Sequence, residues 1–226
     1  MIDGARVLGV IPARGGSKAV PRKNLREAGG RPLVAWTIAA AQGSRYLDRA
    51  ILSSDDAETI AVARAHGCEV PFVRAAELAD DRTSLLEVVL DALERCQGYQ
   101  WVVLLQPTSP LRTAQDIDAA IDRCVEAGAP ACVSVCLAQE SPYWMYTLGA
   151  RGRLEPLLPE TRIARRQDLP RVYHLNGAVY VARTDWLARE RTFVNADAVA
   201  YEMPVDRSLD IDTERDLHLV DAYLRA

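Results

Sequence analysis

The sequence has no paired cysteine motif, no cluster of histidines and no long apolar run. Its five cysteines are odd in number and lack paired Cys-x-x-Cys spacing, which argues against a zinc site and favours buried thiols. Its three histidines are scattered and define no catalytic triad. No apolar run approaches membrane-spanning length, and no charged-then-apolar leader opens the chain. We therefore expect a cytoplasmic protein that has no membrane partner.

Charge and length limit the partners and the number of domains. The 226 residues carry a formal net charge of -4, and most cations are interleaved with acidic residues. A nucleic-acid partner is therefore not expected, whereas a small anionic ligand would suit a local group of cations. The length predicts a single domain over residues 1–226, with room for a small insertion.

One stretch near the start joins an apolar strand to a cationic loop, with the sequence VLGVIPARGGSKAVPRKN over residues 7–24. Gly15 and Gly16 have no Cβ, so we predict positive φ angles that turn several N–H groups toward one point. This loop also carries four cations, namely Arg14, Lys18, Arg22 and Lys23. The combination favours phosphate binding, although a solvated basic loop is the plain alternative. The loop matches neither the P-loop nor the Gly-x-Gly-x-x-Gly pattern.

Further along, predicted strands alternate with predicted helices. The strands cover residues 50–53, 69–73, 101–105, 131–136, 176–181 and 199–204. The helices are expected at residues 32–44, after a cap at Asp55, from Ser84, between residues 112 and 128, at 185–189 and after residue 216. This order predicts an α/β fold with a doubly wound, mostly parallel sheet flanked by helices, and ligands at the carboxyl ends of its strands.

The alternation breaks between residues 138 and 172. This segment begins with the aromatic residues Tyr143, Trp144 and Tyr146 and continues with a run rich in proline, leucine and arginine. It is too apolar for a solvated loop, which indicates a partner surface. We interpret residues 138–172 as an insertion within the single domain.

Asp210 and Asp212 stand at positions i and i+2 of a segment that reads as extended. Their carboxylates should therefore point the same way, a spacing suited to a divalent metal. Mg²⁺ takes one or two carboxylates together with phosphate oxygens, which would suit a loop that binds phosphates. The alternative is that Asp212 merely caps the last helix.

Four motifs, in register along the chain, now indicate a family. They are IPARGGSK with PRKN at residues 11–24, LQPTSPLR at 105–112, NGAVY at 176–180 and LDIDTE at 209–214. Together they closely resemble the acylneuraminate cytidylyltransferases, also called CMP-sialic acid synthetases, which include the CMP-legionaminate and CMP-pseudaminate synthetases. The related CMP-Kdo synthetases share the fold, but their first loop usually lacks the Gly-Gly-Ser-Lys and Lys-Asn pattern.

The resemblance implies a Rossmann-like nucleotidyltransferase fold and a reaction. CMP would pass from CTP to the anomeric hydroxyl of a nonulosonic acid, a nine-carbon α-keto acid sugar, with release of pyrophosphate by direct in-line displacement. The resemblance also implies a homodimer in which the insertion at residues 138–172 reaches the partner. It leaves open which nonulosonic acid is used.

The resemblance also implies roles for individual residues. The catalytic residues would be Arg14, Lys23 and Asp212. The nucleotide would be bound by Arg14, Ser17, Lys18, Lys23, Asn24, Ser84, Gln106 and Arg112. The sugar would contact Gln106, Arg166, Tyr180 and Phe193, and Mg²⁺ would be held by Asp210 and Asp212. Structural alternatives exist, since Ser84 could only cap a helix, Phe193 could be core, and Arg165 is an equally cationic neighbour of Arg166.

Two other classes of protein share part of this pattern. A metal-dependent glycosyltransferase also uses an Asp-x-Asp motif, but normally in the middle of its chain and without a cationic Gly-Gly-Ser-Lys loop. A binding-only relative would keep the fold and lose turnover. Release of pyrophosphate from CTP would exclude the binding-only relative.

Overall fold

The computed structural model describes residues 1–2, 4–158 and 165–225. Its strands are β1 (Val7–Pro12), β2 (Glu27–Ala28), β3 (Arg31–Pro32), β4 (Arg49–Ser53), β5 (Trp101–Leu104), β6 (Ala131–Leu137), β7 (Tyr146–Leu148), β8 (Leu154–Pro156), β9 (Tyr173–Arg183) and β10 (Ala198–Glu202). Its helices are α1 (Leu33–Gly43), α2 (Ala57–Ala65), α3 (Leu85–Arg95), α4 (Ala114–Glu126), α5 (Thr184–Glu190) and α6 (Glu214–Arg225).

Six strands form the central sheet, in the order β10-β6-β9-β5-β1-β4. Parallel pairs join β1 to β4 and β5, and β10 to β6. β9 runs antiparallel to both of its neighbours, β5 and β6. The predicted mostly parallel sheet is therefore confirmed, and β10 occupies the expected edge position.

Helices cover both faces of this sheet because its strands are apolar on both faces. On one face, α1, α2 and α4 pack in a cluster that includes Ile11 and Val103. On the other face, α3 and α5 pack around Leu8 and Val102. Burial of each such aliphatic side chain favours folding by about 1.5–3 kcal/mol. The two clusters make the fold doubly wound, as the sequence predicts.

The last helix, α6, packs against the cationic loop near the start of the chain. Leu217 of α6 and Val20 of the loop share a small apolar cluster. Gly29 lies under this helix with a φ of 59°, and a Cβ there would come within 2.6 Å of the Leu224 Cβ. Only glycine fits that approach. The packing therefore brings residues 210–212 beside the loop.

The start of α2 differs from the prediction by one residue. Asp56, not Asp55, is the cap, and its Oδ2 accepts a hydrogen bond from the Thr59 backbone N–H at 2.8 Å. Asp55 is turned away and accepts from the Gly15 N–H at 3.0 Å. Both aspartates suit an N-cap by residue type, so tertiary contact decides between them.

The strand predicted over residues 69–73 is wrong. Only a single bridge forms there, between Glu69 and Ile51 of β4. Pro71 follows two residues later and has no N–H to donate, so the ladder cannot continue. The chain instead crosses the end of the sheet and enters the cleft described below.

The insertion at residues 138–172 contains a two-stranded antiparallel sheet made of β7 and β8. Several of its large apolar side chains are exposed, namely Trp144, Met145, Tyr146, Leu148, Leu154 and Leu157. Residues 159–164 of the predicted insertion lie outside the described residues. The structure thus places these apolar side chains at the surface, and the partner that the sequence indicates for them stays a prediction.

In the described ranges, each helix is too short or too polar to cross a lipid bilayer. The five cysteines are unpaired and buried, as expected. Burial raises the pKa of the Cys68 thiol to about 11 and that of the Cys124 thiol to about 12. Because the thiolate is the reactive form, these side chains act as packing groups.

Candidate active site

A cleft of about 300 Å³ opens where β1 and β5 end. It is lined by Pro12, Arg14, Ser17, Lys23, Asn24, Arg74, Leu78, Asp80, Asp81, Thr83, Leu85, Val88, Gln106, Pro107, Thr108, Asp210 and Asp212. Crevices at the carboxyl ends of parallel strands are the usual ligand sites of doubly wound sheets. The cleft joins three of the motifs that the sequence singles out, from the start, middle and end of the chain.

The glycines of the first loop do not adopt the predicted conformation. The described residues with positive φ include Arg22 but neither Gly15 nor Gly16. Gly15 is needed for space, since a Cβ there would lie 2.9 Å from the Asp56 Cβ. Its N–H already donates to Asp55. The prediction of a nest built on positive φ at these glycines is therefore wrong, and the cationic side chains are the loop's main groups for an anion.

Acidic side chains pair with the two cations at the outer edge of the cleft. Arg14 Nη1 lies 2.8 Å from Asp81 Oδ1 and donates to the Asp80 carbonyl oxygen at 2.8 Å. Lys18 forms an ion pair with the other oxygen of Asp81 and is 85% exposed. The Lys18 hydrogen bond, with the charges of both cations, lowers the pKa of the Asp81 carboxyl. Asp81 therefore stands where an anionic ligand of Arg14 and Lys18 would bind.

Lys23 connects the loop to the end of the chain. Its ammonium donates to the Ile211 carbonyl oxygen and to Asp212 Oδ1, the latter at 3.2 Å. Only 12% of its side chain is exposed, which fixes the ammonium far better than that of Lys18. Asn24 donates to the Arg14 carbonyl oxygen at 2.9 Å and so braces the loop. Lys23 is the loop cation best positioned to act in the cleft.

Asp210 and Asp212 both line the cleft, as their spacing predicts. Although Asp210 faces the open cleft, the pKa of its carboxyl is raised, and desolvation is the largest cause. The charge of Asp212 raises this pKa further, whereas a hydrogen bond from Thr108 lowers it. Asp212 does not cap α6, because Thr213 takes that place. Its hydroxyl accepts from the Asp216 N–H at 3.3 Å, and its own N–H donates to Asp216 Oδ2 at 2.7 Å. The capping alternative for Asp212 is therefore wrong.

The two carboxylates fit a magnesium ion that also binds phosphate. Among the described residues, no group of three or more His, Cys, Asp or Glu side chains could hold a metal. Two adjacent carboxylates, one of them disfavoured as an anion by its surroundings, nevertheless match the partial protein shell that Mg²⁺ accepts when phosphate oxygens complete it. The donor chemistry of Asp210 and Asp212 thus suits the ion.

The loop between β5 and α4 also lines the cleft, through Gln106, Pro107 and Thr108. The Gln106 Nε2 donates to the Gly177 carbonyl oxygen at 3.0 Å. Arg112 lies behind these residues, only 2% exposed, and donates to the carbonyl oxygens of Gln106 and Ala178. Burial lowers the pKa of this guanidinium to about 10. The structure brings Gln106 to the cleft and turns Arg112 away from it.

A family model described as Cytidylyltransferase matches residues 8–221 of the chain. The chain belongs to this cytidylyltransferase family. The match runs from β1 to α6 and so includes every element that contributes to the cleft.

Two curated relatives are similar over more than nine-tenths of their length, and a third over about half of it. A CMP-N,N'-diacetyllegionaminic acid synthase of Legionella pneumophila is 33% identical, covering 97% of this chain and 96% of the relative. A pseudaminic acid cytidylyltransferase of Campylobacter jejuni is also 33% identical, covering 92% and 91%. An N-acylneuraminate cytidylyltransferase of Streptococcus agalactiae is 33% identical over 93% of this chain and 52% of the longer relative.

Solved structures support the fold. A CMP:2-keto-3-deoxy-manno-octonic acid synthetase complexed with CTP superposes with a TM-score of 0.73 at 16% identity, covering 96% of this chain and 98% of the other. A 4-diphosphocytidyl-2C-methyl-D-erythritol synthase of Anaerococcus prevotii gives a TM-score of 0.71 at 13% identity, covering 99% and 100%. At these identities the likeness shows the cytidylyltransferase fold alone.

Other residues with predicted roles lie outside the lining of this family member's cleft. Ser84 forms the capping box of α3 with Glu87, as its spacing indicates. Phe193 is 7% exposed and packs edge-on against Tyr180, with ring centroids 5.6 Å apart. Arg166 donates to the Gln139 carbonyl oxygen within the insertion. The structure thus gives Ser84 and Phe193 structural contacts, and the ligand roles of these four residues stay predictions.

Sequence reasoning missed Arg74 and the segment around Asp81. Arg74 lines the cleft floor, where its Nε donates to the Ser53 Oγ at 3.0 Å and burial lowers its pKa to about 10. An arginine directly after an apolar segment is one signal that could have found it. In the sequence, Asp81 lies in a short acidic segment just before the capping box at Ser84, which is typical of an ordinary turn. Only the fold shows that Arg14 and Lys18 lie beside it.

Proposed function

We propose that the protein transfers CMP from CTP to the anomeric hydroxyl of a nonulosonic acid and releases pyrophosphate. The observation that carries this proposal is the meeting of Lys23 with Asp212 at one end of the cleft, beside Arg14 and Gln106. Cations for the phosphates and carboxylates for a metal thus converge from distant parts of the chain. The printed names of the relatives support the sugar class, since all three act on acids of this type.

The reaction forms one bond and breaks one. The anomeric oxygen attacks the α-phosphorus in line with the leaving group, the bond from the α-phosphorus to the bridging oxygen breaks, and pyrophosphate leaves with those electrons. The hydroxyl proton passes to solvent or to a carboxylate. The residues lining the described cleft include no histidine or cysteine. We therefore propose direct displacement, in which the protein orients the groups and neutralises charge.

The loop cations have different tasks in this scheme. Lys23 is largely buried and would stabilise the charge that develops during transfer, because a fixed donor needs little reorganisation. Arg14 and Lys18 would take the outer phosphates once Asp81 gives way. Asp210 and Asp212 would hold Mg²⁺, which when bound supplies positive charge to the phosphates and lowers the pKa of the attacking hydroxyl.

The test is pyrophosphate release from CTP and Mg²⁺ with N-acetylneuraminate, legionaminate, pseudaminate and Kdo. We expect turnover with a nonulosonate and little with Kdo. Asp212→Asn, which keeps the side-chain shape, should abolish it. Turnover with Kdo alone would reassign the protein as a CMP-Kdo synthetase. Absence of pyrophosphate release with every sugar, together with measurable CTP binding, would support a binding-only relative.

A labelled-nucleotide experiment tests direct displacement. Protein incubated with radiolabelled CTP and no sugar should carry no label after denaturation. Retained label would show a covalent nucleotidyl intermediate and contradict the scheme.

We also propose a homodimer formed through the insertion. Its support is the exposed apolar surface on β7 and β8, where Leu148 and Leu154 lie on paired strands. Light scattering should give the mass of two chains, and Leu148→Glu should shift it toward one. A wild-type monomer at working concentration would contradict the dimer.

A cytoplasmic location completes the proposal. All five cysteines are free thiols, which suits a reducing compartment.

A further inference from the structure

Arg112 is a buried cation with few partners. Its Nη1 donates to two carbonyl oxygens, those of Gln106 at 3.1 Å and Ala178 at 3.0 Å. Its Nε and Nη2 are buried and have no hydrogen-bond partner among the described residues. A buried guanidinium without a directly bonded carboxylate is costly compared with an apolar side chain of the same volume. Fold stability alone therefore does not account for this residue.

The two carbonyls belong to different elements, the cleft-lining loop after β5 and strand β9 behind it. Gln106 begins the loop after β5, and Ala178 lies in the middle of β9. One nitrogen thus fastens the loop to the strand. The Gln106 side chain repeats the link by donating to Gly177, next to Ala178. Gly177 has a φ of 74°, and a Cβ there would come within 3.1 Å of the Gln106 Nε2. Gln106 is therefore held both by its side-chain amide, which bonds to Gly177, and by its main-chain carbonyl, which bonds to Arg112.

The same loop also holds the carboxylate segment. The Thr108 carbonyl oxygen accepts from the Ile211 N–H at 2.9 Å, between the two aspartates. Thr108 also lines the cleft together with Asp210 and Asp212. Ser109 and Arg112 close the loop through backbone bonds, Ser109 N–H to the Gln106 carbonyl and Arg112 N–H to the Ser109 carbonyl. A shift at Arg112 would therefore be passed to residues 210–212 through Thr108.

We infer that Arg112 is a positioning residue, which fastens the Gln106–Arg112 loop to β9 and thereby sets Gln106 and the Asp210–Asp212 pair relative to each other. This inference deepens the proposed function, on which its catalytic meaning rests. It replaces direct nucleotide contact by Arg112 with an action through the main chain. A guanidinium is suited to this task because its planar fork keeps a fixed geometry.

The variants are Arg112→Met, which removes the charge and the donors, and Arg112→Lys, which keeps a cation that can reach one carbonyl. Arg207→Met is the matched control, because Arg207 bonds to buried Asp116 and does not line the cleft. Hydrogen exchange of the Ile211 amide and Mn²⁺ titration in the presence of CTP are measured for each, with thermal melting as a check on folding. Neither main readout requires sugar turnover.

We expect Ile211 exchange to accelerate and Mn²⁺ affinity to fall by about three- to tenfold in Arg112→Met, the range of a lost hydrogen bond. Arg112→Lys should recover part of both. Arg207→Met should lower the melting temperature and leave both unchanged. If Arg112→Met does not fold, Arg112→Lys must still show faster Ile211 exchange and a larger loss of Mn²⁺ affinity than Arg207→Met.

The inference would be overturned if the Arg112 variants showed the same Ile211 amide exchange rate and the same Mn²⁺ affinity as the wild-type protein. So would a loss confined to CTP binding in metal-free buffer, which would mean direct contact with the nucleotide. Absence of turnover by the wild-type protein with every sugar would contradict the proposed function. The positioning role of Arg112 would then still be decided by Ile211 exchange and Mn²⁺ binding.

Discussion

The two loops that form the cleft treat positive charge in opposite ways. In the loop after β1, the cations Arg14 and Lys18 lie toward solvent and pair with the Asp81 carboxylate. In the loop after β5, Arg112 lies in the interior and bonds to main-chain carbonyls. Exposed ion pairs exchange partners at little cost, whereas a buried cation holds its geometry. The first loop is thus built to accept a ligand and the second to keep its shape.

The largest expected effect comes from Lys23, which combines features of both loops because it is cationic, in the cleft and only slightly exposed. Lys23→Met should lower kcat by about 100- to 1000-fold, the usual loss when one fixed donor to a developing charge is removed. Pyrophosphate release under saturating CTP measures it. Arg22→Gln is the control, since Arg22 pairs with Glu58 and does not line the cleft. Equal losses in both variants would contradict a special role for Lys23.

The free energy of unfolding tests how much a buried ion pair contributes, in contrast to an exposed one. Asp116 is fully buried and receives bonds from Arg207, Tyr201 and Thr113. Asp116→Asn should reduce the free energy of unfolding by about 3 kcal/mol, because it leaves Arg207 without its charged partner. Urea unfolding at neutral pH gives the value. Arg189→Gln, at an exposed pair with Glu190, should change it by less than about 0.5 kcal/mol.

The exposed ion pairs of the first loop predict a smaller effect, a gain in affinity for phosphate ligands. Asp81→Asn should tighten the binding of CTP and of inorganic tripolyphosphate by about threefold, because Arg14 and Lys18 lose a competing carboxylate. Calorimetry at two salt concentrations measures this, and the gain should shrink at the higher one. Asp185→Asn, at the exposed pair with Arg183, serves as the control. Weaker binding by Asp81→Asn would instead place this carboxylate in direct contact with a metal or ligand.

The smallest expected effect is a pH dependence. Burial alone would raise the pKa of Asp116, but its bonds with Arg207 and Thr113 outweigh burial and lower it. The stabilising contribution is therefore complete above the unfolded-state pKa of about 3.9 and is lost as the pH falls through the lower folded-state value. The difference in unfolding free energy between wild type and Asp116→Asn should stay constant from pH 7 to about 5 and narrow below about 4. A difference that widens on acidification would contradict the assigned sign.

Much of the fold follows from local sequence, because apolar periodicity and caps act over a few residues. The run Trp101–Leu104 is a buried strand, and Ser84 with Glu87 forms the predicted box. Predictions failed where distant residues decide. Asp56 replaces Asp55 as a cap because Asp55 bonds to Gly15, which is far away in sequence.

The candidate site shows the same limit. Residue type and motif order predicted that Lys23, Gln106 and the two aspartates would meet, and they line one cleft. The orientation of Arg112 could not be predicted, since its partner Ala178 lies on an antiparallel strand whose place in the sheet is set by long-range pairing. Motifs thus identify which residues gather, and packing decides which of them face the ligand.

The pairing of Lys18 at the rim of the cleft and Lys23 inside it has a practical consequence for handling the protein. These are the only two lysines in the sequence. Among the side chains of residues 1–226, amine-directed chemistry, such as coupling to an activated ester, can therefore reach only these two. Lys18 is far more exposed than Lys23, so it will react first. Random immobilisation through lysine would place the support at the mouth of the cleft, and attachment through an engineered surface cysteine would leave it open.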